Sequence, residues 1–273
     1  MQIFKRISYE KNFYRSGRSI LELNVFAQYD EQFYYPKKEW ISSDFPVHED
    51  IYFYPEQDTL HTVFYKPDGT PEVTIFYLHG NSGNISYYAP YITTLVKAGY
   101  QVITVDFRGY GKSSGHPTHQ NIAADGQMIL DSLLHRDDIK NTKLILYGAS
   151  IGTQLATKLA KDNQDKINAL VLEGGMSSFA AIALQYIPEE QRETVKPYLV
   201  FPYFADTDIP SITRIPKLII HSPEDEVVPY AQGEQVFQAA QEPKTFLSVR
   251  GKHLKALLTE PDRILEQISN LTK

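Results

Sequence analysis

The sequence predicts an α/β fold in which helices cover both faces of a mostly parallel, eight-stranded sheet. Short apolar segments recur along the chain from about residue 46, and several are continuously apolar, as expected for strands that are buried on both faces. Stretches with helical periodicity lie between the later segments. This alternation of strands and helices implies right-handed crossovers and a doubly wound sheet.

The predicted strands and helices follow one another in a regular order. The first two strands are separated only by residues 55–58, which predicts an antiparallel pair at the edge of the sheet. The eight predicted strands are 50–54, 59–65, 73–78, 101–106, 143–147, 169–173, 217–221 and 244–249. The predicted helices are 88–98, 123–135, one that begins just after Gly152, and a last one at 261–271.

The length and composition are those of a soluble globular chain. With 273 residues, 42% of them hydrophobic and 22% charged, the chain can form one large α/β domain. We expect residues 46–273 to form this domain and residues 1–45 to form an N-terminal extension. Four large aromatic residues are expected to pack the extension onto the domain, namely Phe33, Tyr34, Tyr35 and Trp40.

One interval within the domain is too long for a simple loop. Residues 174–216 contain no predicted strand, but they include many large apolar residues. A small lid-like insertion that forms a wall of a binding pocket is one interpretation. An ordinary helix followed by a packed loop is the other.

The charge and the cysteine count exclude several classes of function. A net charge of −6 argues against a nucleic-acid partner. The absence of cysteine excludes disulfides, thiolate metal sites and cysteine nucleophiles. No segment has the pattern of a signal peptide or of a membrane-spanning helix, so we expect a cytoplasmic protein. Basic residues near the N-terminus leave a peripheral membrane contact open.

A candidate nucleophile lies in Gly148-Ala149-Ser150-Ile151-Gly152, which matches the pattern G-x-S-x-G. A predicted buried strand leads into this motif and an amphipathic helix follows it. In this context the serine occupies a strained turn that projects its hydroxyl above the sheet, while the glycines avoid collisions with neighbouring backbone. The sequence therefore predicts Ser150 as the nucleophile. The alternative is a strand–helix turn that happens to hold a serine.

The general base is predicted by elimination. A serine nucleophile usually needs a histidine, and in this type of fold the acid and then the histidine follow the serine along the chain. Only His221 and His253 follow Ser150, and His221 precedes the acidic loop. His253 lies in a glycine-containing loop between the last strand and the last helix. We therefore predict His253 as the base, with a purely structural histidine as the alternative.

The acid is expected in the loop after the predicted strand 217–221, where Glu224, Asp225 and Glu226 are consecutive. We predict Asp225, because its two neighbours fit best as solvated flanks, and Glu224 is the alternative. The acid would fix the tautomer of the imidazole and stabilise the imidazolium without accepting a proton.

Two N–H donors are expected to stabilise the oxyanion of the reaction, each contributing roughly 3 kcal/mol in the transition state. One is the amide of Ile151, directly after the nucleophile. The other is the amide of Asn81, in the loop of small residues after the predicted strand 73–78. In that loop Gly80 lets the backbone approach a substrate. His79 precedes Ser150 in the chain, so we expect it to form structural hydrogen bonds.

No cofactor and no metal ion are predicted. His116 and His119 lie close together, but no third ligand has a suitable spacing. We interpret both as surface histidines in a loop.

Four motifs, taken together, resemble the α/β-hydrolase superfamily. They are residues 78–84 (LHGNSGN), 106–113 (DFRGYGKS), 148–152 (GASIG) and 223–229 (PEDEVVP). The resemblance covers about residues 47–270 and is closest to the branch of serine lipases, lysophospholipid hydrolases and depalmitoylating thioesterases. It implies a catalytic triad of Ser150, Asp225 and His253, and an oxyanion hole at Asn81 and Ile151.

The resemblance also implies a supporting loop that contains Asp106, Arg108 and Gly109, with an Arg–Asp pair that braces the site. Three departures from the pattern are apparent, and one of them is Gly152-Thr153, where a second small residue is common after the motif. Many members of the branch begin with a membrane-anchoring helix, and this sequence shows none. The strand before the acid ends in His221-Ser222, where His-Gly is usual.

The leading functional hypothesis is hydrolysis of a carboxylic ester or thioester with an apolar acyl chain, through an acyl-enzyme on Ser150. The expected partner is a small-molecule or lipid acyl ester. The alternative is a non-catalytic protein of the same fold that binds a ligand or a protein partner, since a fold does not determine a function.

Overall fold

The structure is a computed structural model that describes residues 33–41 and 45–273. Most of the expected N-terminal extension lies outside the described residues. The described residues form one eight-stranded sheet and a separate pair of two-residue strands, Tyr35–Pro36 and Ser82–Gly83.

The main sheet consists of eight strands, namely β1 His48–Phe53, β2 Leu60–Tyr65, β3 Val73–Leu78, β4 Gln101–Val105, β5 Lys143–Ala149, β6 Ala169–Glu173, β7 Lys217–His221 and β8 Lys244–Ser248. Their order in the sheet is β1-β2-β4-β3-β5-β6-β7-β8. β1 and β2 pair antiparallel, as do β2 and β4, and the remaining pairs are parallel. The predicted α/β-hydrolase fold and the antiparallel pair at its edge are therefore confirmed.

Helices cover both faces of the sheet, and consecutive side chains of a strand enter different cores. In β3, Phe76 and Leu78 belong to one apolar cluster, whereas Ile75 and Tyr77 belong to the other. Both faces of the strand are buried, which is why its sequence is continuously apolar. The helices are α1 Ile85–Lys97, α2 His119–Leu134, α3 Gly152–Asp162, α4 Phe179–Gln185, α5 Glu189–Val195, α6 Ala205–Asp208, α7 Tyr230–Ala239, α8 Ala256–Thr259 and α9 Pro261–Asn270.

Two helices begin earlier than their apolar periodicity predicts, because polar caps extend them. The Asn84 side chain accepts a hydrogen bond from the Ser86 amide at the start of α1. Thr118 and Asn121 form a capping box at the start of α2. Helix α7 was not predicted, since its buried residues include Gln232 and Gly233 and its apolar stripe is weak.

Residues 174–216 fold as short helices joined by turns, and most of their aromatic side chains point inward. Phe179, Phe201 and Tyr203 are buried. Phe33 packs on two of these rings, with centroids 5.2 Å from Phe179 and 5.5 Å from Phe201. Phe33 and the segment 174–216 therefore share one aromatic cluster.

The interpretation of His119 as a surface residue is wrong. It is the first residue of α2, and its ring is buried with its centroid 4.0 Å from that of Phe179. One ring nitrogen, Nδ1, lies 2.8 Å from the Tyr34 hydroxyl. Burial lowers the pKa of His119 to about 3, so the ring is neutral. The rings that cover it come from distant parts of the chain, which local sequence does not reveal.

Candidate active site

Ser150 lies at the turn between β5 and α3 and has a backbone φ of +53°, in the left-handed region. A non-glycine residue is strained in this conformation, so the surrounding structure must hold it there. Its amide donates a hydrogen bond of 2.9 Å to the carbonyl of Glu173 in the neighbouring strand. The turn thus presents the serine hydroxyl at the carboxyl edge of the parallel strands.

Close backbone contacts explain both glycines of the motif. A Cβ at Gly148 would lie 2.6 Å from the Gly152 carbonyl oxygen and 2.8 Å from the Ala156 Cβ. A Cβ at Gly152 would overlap the carbonyl oxygen of Leu78. The helix can therefore start directly above β3 and β5 only when both positions lack a side chain.

Replacing Gly152 with alanine is expected to destabilise the fold by about 2–3 kcal/mol, the usual cost of overpacking. The new methyl would meet the carbonyls of Leu78 and His79, which are backbone atoms and cannot turn aside. Urea unfolding measures the change. Gly126→Ala is the control, because its methyl would meet only movable side-chain ends such as that of Leu155. Equal stabilities of the two variants would contradict this explanation.

Three side chains from distant loops form a continuous hydrogen-bonded chain. The Ser150 Oγ lies 2.9 Å from Nε2 of His253, and Nδ1 of His253 lies 2.6 Å from Oδ2 of Asp225. In the tautomer that satisfies both contacts, Nδ1–H donates to the carboxylate and Nε2 accepts from the hydroxyl. This arrangement can deprotonate the serine as its oxygen attacks an electrophile.

The acidic loop holds the Asp225 carboxylate in place and charged. Its side chain is 1% exposed, and Oδ1 accepts hydrogen bonds of 2.9 Å from the amides of both Val227 and Val228. Burial alone would raise the pKa of Asp225, but the contacts with His221, His253 and the Val228 amide lower it well below its ordinary value. Glu224, the alternative acid, is exposed.

The loop after β3 approaches the serine closely. A Cβ at Gly80 would lie 3.3 Å from the Ser150 Cβ, so a side chain there would crowd the serine. The buried His79 ring donates from Nδ1 to the Gly80 carbonyl at 2.6 Å and thereby fixes the peptide plane that carries the Asn81 amide. Burial lowers the pKa of His79, which keeps this ring neutral. Ile151 is buried at the N-terminus of α3.

Arg108 braces a loop beside the site, but not through Asp106. Its guanidinium forms two hydrogen bonds to Asp125, of 2.8 and 2.9 Å, and a third of 2.7 Å to Asp58. Asp106 instead accepts from the Ile85 amide at 2.8 Å and contacts other groups of its own loop. Arg108 therefore links its loop to Asp58 and Asp125, whereas Asp106 links the same loop to the start of α1.

The contact between His221 and Asp225 was not predicted from the sequence. Nε2 of His221 lies 3.0 Å from the Val228 carbonyl and 3.4 Å from Oδ2 of Asp225. Gly233 in α7 approaches this ring so closely that a Cβ there would overlap Nδ1 of His221. The position of His221 at a strand end beside the acidic loop is the signal that could have indicated this contact.

The support of the loop after β3 by residues 33–41 was also missed. The Tyr35 amide donates to the Asn81 carbonyl at 3.2 Å. The Asn84 side chain, which caps α1, donates to the carbonyl of Lys37 at 2.9 Å. The segment has no periodicity that marks it in the sequence, apart from its richness in aromatic residues.

Comparisons with known proteins extend these observations. YfhR of Escherichia coli (strain K12), described as an uncharacterized protein, is 31% identical over 232 residues, which cover 82% of this chain and 80% of that protein. The human alpha/beta hydrolase domain-containing protein 17B is 30% identical over 190 residues and covers 69% of this chain, which spans 62% of that protein.

Solved structures of the same fold are also similar. The esterase Pf2001 of Pyrococcus furiosus superposes with a TM-score of 0.68 and 18% identity, covering 87% of this chain and 97% of that one. At this level of identity the likeness concerns the fold alone. A sequence model described as alpha/beta hydrolase fold matches residues 73–214, which is more than half of the chain. Together with the relative from Escherichia coli, this match shows that the chain belongs to the alpha/beta hydrolase family.

Proposed function

We propose that this protein is a serine hydrolase that cleaves a carboxylic ester or thioester through an acyl-enzyme on Ser150. The observation that carries the proposal is the chain of hydrogen bonds from Ser150 through His253 to Asp225. The strained backbone of Ser150 adds support, since strain of this kind is common at nucleophiles. An intact arrangement of all three groups favours an enzyme over a ligand-binding protein of the same fold.

In the proposed mechanism, the Ser150 hydroxyl attacks the carbonyl carbon while His253 takes its proton. Asp225 remains ionised and stabilises the imidazolium. The amides of Asn81 and Ile151 stabilise the oxyanion of the tetrahedral intermediate. His253 then donates its proton to the leaving alcohol or thiol, and the acyl group stays on the serine. Water activated by the same imidazole releases the acid and restores the hydroxyl.

We propose an apolar acyl chain as the part of the substrate that the insertion contacts. Residues 174–216 begin immediately after β6 and carry partly buried aliphatic side chains, such as Ile182 and Leu184, next to the aromatic cluster. Tyr186 and Tyr198 are exposed on the same segment.

Within residues 33–41 and 45–273 there is no helix long and apolar enough to cross a membrane. A cytoplasmic location, with or without peripheral membrane contact, stays a prediction.

A fluorophosphonate probe is expected to label the wild-type protein on Ser150, because the activated hydroxyl attacks phosphorus as it would attack a carbonyl. Mass spectrometry of the labelled peptide identifies the site. Ser150→Ala should not be labelled, and Ser177→Ala, which removes another buried hydroxyl, should be labelled like the wild type. An unlabelled wild type would refute the proposed function.

Hydrolysis of p-nitrophenyl esters of increasing chain length tests the acyl group. We expect kcat/KM to rise by about tenfold or more from acetate to octanoate, since each buried methylene contributes about 0.8 kcal/mol. Activity confined to the acetate would contradict an apolar acyl site. Absence of activity on every ester, together with absence of labelling, would favour the non-catalytic alternative.

A further inference from the structure

A buried carboxyl group lies directly behind the candidate triad and is not used by the proposed mechanism. Glu173 is the last residue of β6 and is 2% exposed. Its position is next to Ala149 in the sheet register, so it lies at the same edge as Ser150. Buried carboxyl groups are costly unless they are hydrogen-bonded, and the partners of this one are informative.

The carboxyl group of Glu173 contacts two different elements. Oε2 accepts a hydrogen bond of 2.5 Å from the hydroxyl of Tyr147 in β5. Oε1 accepts a hydrogen bond of 3.2 Å from the amide of Ala256, the first residue of α8. Burial raises the pKa of Glu173, and these two hydrogen bonds oppose the shift. Both oxygens are therefore used as hydrogen-bond acceptors, one toward the sheet and one toward the start of α8.

The Ala256 amide is three residues beyond His253, and the connection between them is strained. Leu254 has a backbone φ of +57°, in the left-handed region. A non-glycine residue keeps such a conformation only where neighbouring contacts impose it. The hydrogen bond from Ala256 to Glu173 is a contact of this kind, since it fixes the far side of the strained turn.

The backbone of Glu173 also contacts the turn that carries Ser150. The Glu173 carbonyl accepts the hydrogen bond from the Ser150 amide at 2.9 Å. The next residue, Gly174, approaches His253 so closely that a Cβ there would lie 3.1 Å from its Cε1. One end of β6 therefore contacts both the serine turn and the histidine loop.

We propose that Glu173 is a positioning residue that sets the distance between Ser150 and His253, holding the serine turn by its carbonyl and the histidine loop by its side chain. This inference rests on the proposed hydrolase function. Tyr147 orients the carboxylate from the sheet side. Glu173 does not touch substrate, and its loss acts only through the placement of the imidazole.

The test compares purified full-length variants by kcat and KM on p-nitrophenyl butyrate, with thermal unfolding as a check on folding. Glu173→Ala removes both hydrogen bonds, and we expect kcat to fall by about 100-fold while KM changes by less than about twofold, as for a misplaced catalytic group. Glu173→Gln keeps an acceptor for Ala256 and should restore kcat to within about tenfold of the wild type. If Glu173→Gln restores kcat, the loss in Glu173→Ala comes from the missing hydrogen bonds and not from the missing carboxyl charge.

Tyr147→Phe and Tyr65→Phe form a matched pair of milder changes. Both tyrosines are fully buried in the sheet, but only Tyr147 contacts Glu173. We expect Tyr147→Phe to lower kcat by about three- to tenfold and Tyr65→Phe to leave it unchanged. If Glu173→Ala does not fold, this pair decides the question.

Equal kcat values for folded Glu173→Ala and the wild type, or for the two phenylalanine variants, would overturn the positioning role. Labelling of the wild type by the fluorophosphonate probe in the same series keeps the two proposals apart. A labelled wild type with unaffected Glu173 variants refutes only the positioning role. A wild type that is neither labelled nor active refutes the hydrolase function and this inference with it.

Discussion

Replacing His253 with alanine is expected to lower kcat for ester hydrolysis on the order of 10⁵- to 10⁶-fold, the loss typical of a general base that acts together with its nucleophile. The structure provides the reason, because Nε2 of His253 is the only ring nitrogen within 3 Å of the Ser150 hydroxyl among the described residues. Without it the serine keeps its proton at neutral pH. Steady-state kinetics measure kcat, and labelling by the fluorophosphonate probe should fall in parallel.

His48→Ala is the control for the His253 variant. His48 is an exposed histidine on the edge strand β1 and should tolerate the same change with full activity. A His253 variant that retained more than about a hundredth of the wild-type kcat would show that another group deprotonates the serine. The neutral ring of His79 would then be the next candidate to replace.

Replacing Asp225 with asparagine is expected to lower kcat by about 10⁴-fold, because an amide can stabilise the wrong tautomer of the imidazole. The carboxylate receives Nδ1–H of His253 at 2.6 Å, and its pKa is held below the ordinary value, so it is ionised at neutral pH. The isosteric change preserves the shape of the loop. Thermal unfolding and steady-state kinetics on the same preparation distinguish loss of activity from loss of structure.

Glu224→Gln provides the matched comparison, since it makes the same chemical change one residue away. Glu224 is exposed, and its carboxylate should be free of any role in the reaction. We expect its kcat to stay within about twofold of the wild type. A large loss in Glu224→Gln with an active Asp225→Asn would reverse the assignment of the acid, which the sequence left open between these two residues.

The sheet was predictable because its strands are buried on both faces, and continuous apolar runs such as residues 73–78 follow from that burial. The starts of α1 and α2 were not predictable from periodicity, because Asn84 and Thr118 extend these helices with polar residues. Apolar periodicity also does not predict α7, because one of its buried positions is Gly233, which leaves room for the ring of His221 and contributes no apolar side chain.

The G-x-S-x-G motif between a strand and a helix was enough to nominate Ser150. The chain order of serine, acid and histidine then nominated His253, since it left a single histidine in the permitted position. The contacts that hold these side chains in place could not be predicted from a motif or from chain order. The hydrogen bond between Glu173 and Ala256 joins residues 83 positions apart, and it depends on the register of β6 against its neighbours. Pairings of this kind are set by the packing of the whole sheet.

The parallel pairing of Tyr35–Pro36 with Ser82–Gly83 has a consequence for the order in which the molecule assembles. Contacts of this segment, such as that between Glu39 and Asn84, close a loop of 45 positions that contains β1, β2 and β3. The entropy of closing such a loop is offset only after those strands have paired. The sheet can thus form before residues 35–39 hold the loop after β3, so we expect that loop to become ordered after the sheet has formed.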